Sequence, residues 1–198
     1  MSVYIHGVLR SPIVVLNGQY KHMRPEMLGA QLIDELINRH SILQVDGLFC
    51  GNAVGTGGNI GRLMGLMCNL PNSVPAITVD MQCASALMSI EIAYAHILSG
   101  IMNSAIAGGI ESSSLQPERV YASGDDRKGT YKVAQFTPQD QSPLAMLEGA
   151  ERTIHKHNVT KEDLYPHIIG SHQRASAALD NLYLQSYIMP ITIDGKRC

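Results

Sequence analysis

The sequence has 198 residues, of which 45% are hydrophobic and 16% are charged, and its formal net charge is −2. This composition is typical of a globular chain that is long enough to bury a core, and it excludes a disordered protein. Because no basic run is longer than Lys196-Arg197, the charge pattern excludes nucleic acid as an expected partner. No apolar stretch has the length of a membrane span and the N-terminus lacks a signal-peptide pattern, so we expect a cytoplasmic protein without a membrane partner.

The four cysteines are spread through the chain, at Cys50, Cys68, Cys83 and Cys198, and no two of them have the CxxC spacing. A disulfide scaffold or a zinc site would need a denser arrangement. We therefore expect free thiols and no metal site.

Predicted strands and helices alternate through the first part of the chain. The predicted strands cover residues 3–8, 45–54, 76–79 and 104–109, and the predicted helices cover residues 25–40, a segment that ends near residue 70, and residues 84–99. Such alternation with short links favours an α/β fold, in which a parallel or mixed sheet is covered by helices on both faces. The composition becomes polar after residue 116, so we expect a first domain over residues 1–117.

The remaining residues, 118–198, are predicted to form a second domain that is mainly helical. A polar stretch over residues 116–141 precedes helical patterns over residues 143–158 and 160–180. Residues 187–193 have the pattern of a strand, and Asp194-Gly195 is a hairpin signal. Since only three residues follow this signal, we expect the structural unit to continue beyond them.

A glycine-rich loop over residues 55–62 connects a predicted strand to a predicted helix. Phosphate-binding loops have this order of elements, but Ile60 occupies the place of the third glycine of the dinucleotide fingerprint and no Gly-Lys-Ser/Thr follows. The other interpretation is a tight turn that lets the helix pack closely.

Cys83 lies where the predicted strand 76–79 turns into the predicted helix 84–99. Unpaired N–H groups and the helix dipole favour an anion at such a position, and the thiolate is the nucleophilic form of cysteine. An inert, buried cysteine is the alternative. The helix itself is apolar almost all the way round, with Glu91 and His96 as its only strongly polar side chains, so we expect it to be buried.

The segment Asp80-Met81-Gln82-Cys83-Ala84-Ser85-Ala86-Leu87 resembles the nucleophile motif of the thiolase family, which includes the acetyl-CoA acetyltransferases. Residues 107–114 (AGGIESSS) match the family's AGG-x-ES-x-S signature, and residues 171–175 and 188–191 are similar to its loop domain. The resemblance covers essentially the whole chain. It implies a thiolase-like N-terminal half, with a layered mixed β-sheet and helices on both faces, followed by part of a mainly helical loop domain.

The resemblance also implies an activity, the reversible Claisen condensation of acyl-CoA molecules, with the acyl group carried on Cys83. Acetyl-CoA and other acyl-CoA thioesters are then the substrates, and no cofactor is expected. Met146 is similar to a loop-domain methionine that lines the family's acyl pocket, while a core methionine at helical spacing is the alternative interpretation.

Three residues depart from the family pattern. Ala86 replaces a usual glycine, Asp80 replaces a commoner asparagine, and Leu147 replaces the glycine that usually follows the pocket methionine. Of these, Leu147 is the one expected to crowd the substrate site.

The family is built from two similar halves, and this sequence resembles only the first half with part of the loop domain. The Gly-His-Pro histidine, the second Cys-x-Gly-Gly motif and the Asn-Glu-Ala-Phe motif of the second half do not occur in it. We therefore expect a truncated chain or one subunit of a split enzyme, which forms a homo-oligomer or a complex with a C-terminal thiolase half.

Two other functions stay open at this point. The chain could be a non-catalytic interaction or acyl-CoA-binding subunit, which the missing histidine and Leu147 favour. An unrelated cysteine hydrolase that uses His155 or His157 is the third hypothesis, although both histidines lie in a polar helix far from any recognisable triad.

Overall fold

The computed structural model describes residues 2–55, 57–132, 135, 138, 142, 144–193 and 195–197. The chain divides into two compact units. The first unit comprises Met1–Pro117 and Tyr187–Cys198, and the second comprises Glu118–Ser186.

A three-stranded parallel sheet forms the centre of the first unit. Its strands are β1 (Gly47–Gly51), β2 (Ala76–Val79) and β3 (Ala105–Gly109), in the order β2-β1-β3. Leu48 in the central strand is paired with Ala76 on one side and with Ile106 on the other. All five residues of β1 are buried, as expected for the middle strand of a parallel sheet.

Helices cover both faces of this sheet, so the predicted α/β layers are confirmed. The first unit contains α1 (Pro25–His40), α2 (Ile60–Met67), α3 (Ser85–Leu98) and a short 3-10 helix (Ser113–Leu115). Side chains of α1 and α2 form one hydrophobic core with alternate residues of β1, namely Ile33, Ile60, Met64, Leu48 and Cys50. On the opposite face α3 contacts Gly51, and its His96 ring lies 5.3 Å from the ring of Phe49.

The predicted strand over residues 3–8 does not form. These residues have no strand structure, and Tyr4 and Ile5 are 84% and 82% exposed. A strand requires a hydrogen-bonded neighbour, and among the described residues only Arg10 makes a bridge in this region, to Ile188.

The last residues of the chain belong to a different unit from the one that the sequence predicted. Residues 118–198 were expected to form one domain, but residues 187–198 belong to the first unit. The Arg10 N–H donates to Tyr187 O and the Met189 N–H donates to Arg10 O, both at 2.9 Å. Ile191 is fully buried in a hydrophobic cluster with Met23. These contacts are made with residues distant in sequence, so a local sequence pattern cannot predict them.

The hairpin expected near the C-terminus is present as two short antiparallel strands, β6 (Thr192–Ile193) and β7 (Lys196–Arg197). Gly195 has a φ of 77°, which glycine adopts without a steric cost. Asp194 and Cys198 lie outside the described residues.

The second unit is mainly helical, as predicted. It contains the hairpin of β4 (Arg119–Val120) and β5 (Thr130–Tyr131), followed by α4 (Ala145–Lys156), α5 (Lys161–Asp180) and α6 (Leu182–Gln185). Thr160 and Asp163 form a capping box at the start of α5. Most of the positions from 133 to 143, including the predicted helix start at Pro143, lie outside the described residues.

None of the three helices of this unit has a buried residue. Their apolar side chains are therefore available for contacts beyond the unit itself. Among the helices that the structure describes, none combines the length and apolar character that crossing a membrane requires.

The close contact between β1 and α3 gives a test of the fold. A Cβ at Gly51 would collide with the backbone of Ser85 and Ala86, whereas a Cβ at Gly108 meets nothing within 4 Å. We expect Gly51→Ala to lower the free energy of unfolding by about 2–3 kcal/mol, because two backbone segments must move apart. The matched Gly108→Ala variant should change it by less than about 0.5 kcal/mol. Urea titrations followed by circular dichroism measure both, and equal midpoints for the two variants would contradict the contact.

Candidate active site

Cys83 lies at the carboxyl edge of the parallel sheet, in the turn between β2 and α3, as the sequence predicted. Its thiol is exposed. Helix α3 begins two residues later, with Ala84 as an N-cap that makes no side-chain hydrogen bond. The Ser85 N–H donates to the Gln82 carbonyl oxygen at 3.1 Å, and no side chain caps the helix start. The N–H groups that follow Ser85, together with the helix dipole, favour negative charge near the thiol.

The turn that carries Cys83 contains a residue in an uncommon conformation. Gln82 has a φ of 52°, in the left-handed region. Its N–H donates to Asp80 Oδ1 at 2.9 Å, and its carbonyl oxygen accepts from the hydroxyl of Ser85 at 2.6 Å. The Ser85 hydroxyl oxygen also accepts from the Met81 N–H at 2.8 Å. Sequence reasoning did not find this arrangement, because nothing in a glutamine indicates a positive φ.

Two glycines at the ends of β1 and β3 allow the first turn of α3 to pack directly against the sheet. Gly51 lies against the backbone of Ser85 and Ala86, and an ideal Cβ on Gly109 would stand 2.8 Å from the Ala86 Cβ. The hydroxyl of Ser89, one turn further on, donates to the carbonyl oxygen of Gly108 at 2.8 Å. The space left by Gly109 accommodates the methyl group of Ala86, which explains why alanine is tolerated where the family usually has glycine.

Glu111, part of the second motif, joins the loops that follow β1 and β3. Its Oε2 accepts from the N–H groups of Ala53 (3.1 Å) and Val54 (2.7 Å), and its Oε1 accepts from Asn52 Nδ2 (3.3 Å) and the Ser112 N–H (3.2 Å). A carboxylate has two oxygens with room for about four donors, so this one group fixes both loops. The sequence showed Glu111 as a motif residue without giving it a role.

Helix α3 is buried on one face only, whereas its apolar composition alone predicted a buried helix. Its residues Ser85, Ser89 and Ala93 are buried, but one face carries exposed apolar side chains: Leu87, Ile90, Tyr94 and Leu98. We call these four residues the α3 stripe. Their spacing places them together on one face of the helix, opposite the face that contacts the sheet. The described residues therefore cover only one of the two apolar faces of α3.

The other described cysteines have different surroundings. Burial raises the pKa of the Cys50 thiol to about 11, and burial also raises the pKa of the half-buried Cys68 thiol. Both groups therefore stay protonated near neutral pH, which makes them poor nucleophiles.

Met146 lies in the first turn of α4, in the second unit, and 81% of its surface is exposed. The alternative of a core methionine is therefore wrong for the described residues. The neighbouring Leu147 is also exposed.

Two N–H groups at the end of the glycine-rich loop, which a phosphate site would need as donors, are already engaged. The Gly61 N–H donates to Thr78 Oγ1 at 2.9 Å, and the Arg62 N–H donates to Asn59 Oδ1 at 3.0 Å. The start of α2 is thus already capped, which favours the interpretation as a turn.

In α4, His155 lies 3.8 Å from Glu151 at an exposed position. Across the described residues, no three side chains of the metal-binding types come together.

The three described cysteines give a test of the site. Near pH 8 we expect limiting iodoacetamide to label Cys83 at least about tenfold faster than Cys68 and Cys50, because Cys83 is exposed and the raised pKa values keep the other two thiols protonated. Peptide mapping by mass spectrometry locates the label, and the Cys83→Ser variant is the control. Labelling of Cys68 at the same rate as Cys83 would contradict this assignment.

The Glu111 contacts give a second test. In Glu111→Gln, one acceptor oxygen becomes an NH₂ donor that faces backbone N–H groups. We expect amide hydrogen exchange at Ala53 and Val54 to become about tenfold faster, while exchange in β1 stays unchanged. Glu91→Gln, at an exposed position on α3, is the matched control. Unchanged exchange at Ala53 and Val54 would show that the carboxylate does not fix the loop.

Comparisons with known proteins agree with this geometry. The family model of the thiolase N-terminal domain matches residues 3–198. VraB of Staphylococcus aureus strain MW2, which is provisionally named as an acetyl-CoA C-acetyltransferase, is 32% identical over 185 residues, covering 90% of this chain and 48% of VraB. VraB of Staphylococcus haemolyticus strain JCSC1435, which has the same provisional name, is 32% identical over 194 residues, covering 94% of this chain and 50% of that protein.

The crystal structure of an acetyl-CoA acetyltransferase from Bacillus anthracis has the same fold. Its TM-score is 0.80 at 24% sequence identity, and the match covers 98% of this chain and 52% of that chain. The chain spans about half the length of the relatives that it matches. The family match over nearly every residue shows that the chain belongs to the thiolase family, as its N-terminal domain.

Proposed function

We propose that this chain is the acyl-carrying part of a thiolase-type acyl-CoA acyltransferase and that Cys83 is its nucleophile. The observation that carries the proposal is the exposed Cys83 directly before the start of α3, which no side chain caps, within the motif that places the chain in its family. Relatives that carry the name of acetyl-CoA acetyltransferases support acetyl-CoA as a substrate.

The chemistry follows from a thiolate in this place. The sulfur of Cys83 attacks the carbonyl carbon of the acyl-CoA thioester, a new C–S bond forms, and the C–S bond to coenzyme A breaks. Coenzyme A leaves as a thiolate and takes up a proton. In condensation, the carbanion of a second acyl-CoA then attacks the acyl group on Cys83. In thiolysis, the acyl group reaches Cys83 from the cleavage of a 3-ketoacyl-CoA.

The remaining parts of such a reaction must come from outside this sequence. A base that takes up the thiol proton and donors that stabilise the oxyanion each contribute orders of magnitude in rate. The α3 stripe and the half-exposed Ile77 on the edge strand β2 are two observations that support an assembly, because an exposed apolar helix face and an unpaired strand edge are both typical of interfaces. We propose a C-terminal thiolase half or a second copy of the chain as the partner.

Met146 is proposed as a contact for the acyl group, and no cofactor is needed beyond the coenzyme A thioesters themselves. The substrates place the reaction in lipid metabolism. We propose that the protein acts in the cytoplasm, where the thiol on which the chemistry depends stays reduced.

Acyl transfer to the chain tests the proposal. With acetyl-CoA in excess, we expect the intact mass to increase by one acetyl group, and peptide mapping should locate it on Cys83. Cys83→Ser should abolish the increase, and Cys68→Ser, the matched control, should retain it. Adding a separately expressed C-terminal thiolase half, the partner proposed above, should raise the rate by at least about 100-fold, because a base and oxyanion donors on that half would each contribute orders of magnitude.

The absence of acetyl-Cys83 both alone and with the second half would disprove the transferase function. If acetyl-CoA then bound with measurable affinity but no acyl group were transferred, the chain would instead be the non-catalytic acyl-CoA-binding subunit, a function that the crowding expected from Leu147 favours.

A further inference from the structure

We propose that Asp80 is a positioning residue for Cys83, because its carboxylate holds Gln82 in the left-handed conformation that brings Cys83 directly before the first turn of α3. This inference rests on the function proposed above, in which Cys83 is the nucleophile.

The conformation of Gln82 requires an explanation, because side chains with a Cβ are disfavoured in the left-handed region. Such a residue keeps its conformation only where its surroundings hold it in place. Here both backbone polar groups of Gln82 are held. The N–H is held by Asp80 Oδ1 at 2.9 Å, and the carbonyl oxygen accepts from the Ser85 hydroxyl at 2.6 Å and from the Ser85 N–H at 3.1 Å.

The hydrogen bonds at the N–H and at the carbonyl oxygen of Gln82 differ in how firmly their partners are fixed. Ser85 is only 4% exposed and lies against Gly51, so the carbonyl side of Gln82 is anchored in the core of the first unit. Asp80 is exposed, so the N–H side depends on a single side chain that is free to be replaced without opening the core. Loss of this acceptor lets Gln82 relax to an ordinary φ, which changes the direction in which the chain enters Cys83.

Asp80 is also one of the positions at which the chain departs from the family pattern, where asparagine is commoner. An asparagine side-chain oxygen accepts the same hydrogen bond without the negative charge. The positioning role therefore predicts that the acceptor is required and that the charge is not.

The experiment measures the rate of alkylation of Cys83 by limiting iodoacetamide, relative to Cys68 in the same molecules, for a set of variants of the whole chain. We expect Asp80→Ala to slow the alkylation of Cys83 by about fivefold, because the thiol moves away from the start of α3. Cys83 in the Asp80→Asn variant should be alkylated at least as fast as Cys83 in the unchanged chain. Asp180→Ala, at an exposed position at the end of α5, is the matched control and should have no effect.

A second substitution separates positioning from a general loss of structure. Glycine adopts the left-handed region without a steric cost, so Gln82→Gly removes the need for the carboxylate. We expect the double variant Asp80→Ala with Gln82→Gly to react within about twofold of Gln82→Gly alone. If Asp80→Ala merely loosened the fold, labelling of Cys50 and Cys68 would rise as well, and glycine at position 82 would not restore the rate.

The ¹³C chemical shifts of residue 82 report its φ directly and do not depend on any reactivity. A left-handed Gln82 in Asp80→Ala, or an unchanged alkylation rate in that variant, would overturn the positioning role. Failure of the proposed function gives a different result: acetyl-CoA would then leave no acetyl group on Cys83 of the unchanged chain, alone or with a C-terminal half, whatever the alkylation rates and the shifts of residue 82 in the variants.

Discussion

The contact between the first turn of α3 and the ends of β1 and β3 is the constraint on which the rest of the site depends. It exists because Gly51 and Gly109 have no side chains, so that the backbone of Ser85 and the methyl group of Ala86 lie directly on the sheet. The buried Ser89 adds a hydrogen bond to Gly108. A helix end held this closely gives the turn before it a fixed position, and Cys83 lies in that turn. Cys83, the proposed nucleophile, is therefore positioned by the packing of small residues.

The loops at the same edge of the sheet are held by polar groups. Glu111 fixes the loop after β1 through two backbone N–H groups, while Asn59 and Thr78 cap the start of α2. Hydrogen bonds to charged acceptors are stronger than those between neutral groups, so Glu111 is suited to join loops that have few apolar contacts. Small residues thus position the helix, and polar side chains position the loops around it.

Much of this arrangement could be predicted from the sequence. Alternating strand and helix patterns gave the three parallel strands and their helices, and Pro25 and His40 marked the ends of α1. The place of Cys83 at a strand-to-helix junction was also predicted. The unformed strand over residues 3–8 could not be foreseen, because a strand pattern does not show whether a partner is present. The same holds for the pairing of Arg10 with residues 187–189, which depends on contacts between distant residues. The φ of Gln82 depends on a hydrogen bond that its N–H donates to Asp80 and on one that its carbonyl oxygen accepts from Ser85, and no local propensity describes either.

The α3 stripe begins four residues after Cys83, on the helix that starts beside the thiol. Any surface that covers Leu87, Ile90, Tyr94 and Leu98 would therefore have one end near Cys83. Under the proposed function, burial of the stripe and exclusion of water from a thioester on Cys83 would occur in the same association. An acyl group loaded before assembly would stay open to hydrolysis, whereas one loaded afterwards would be protected, so the order of the two events decides whether the bond energy of the thioester is conserved.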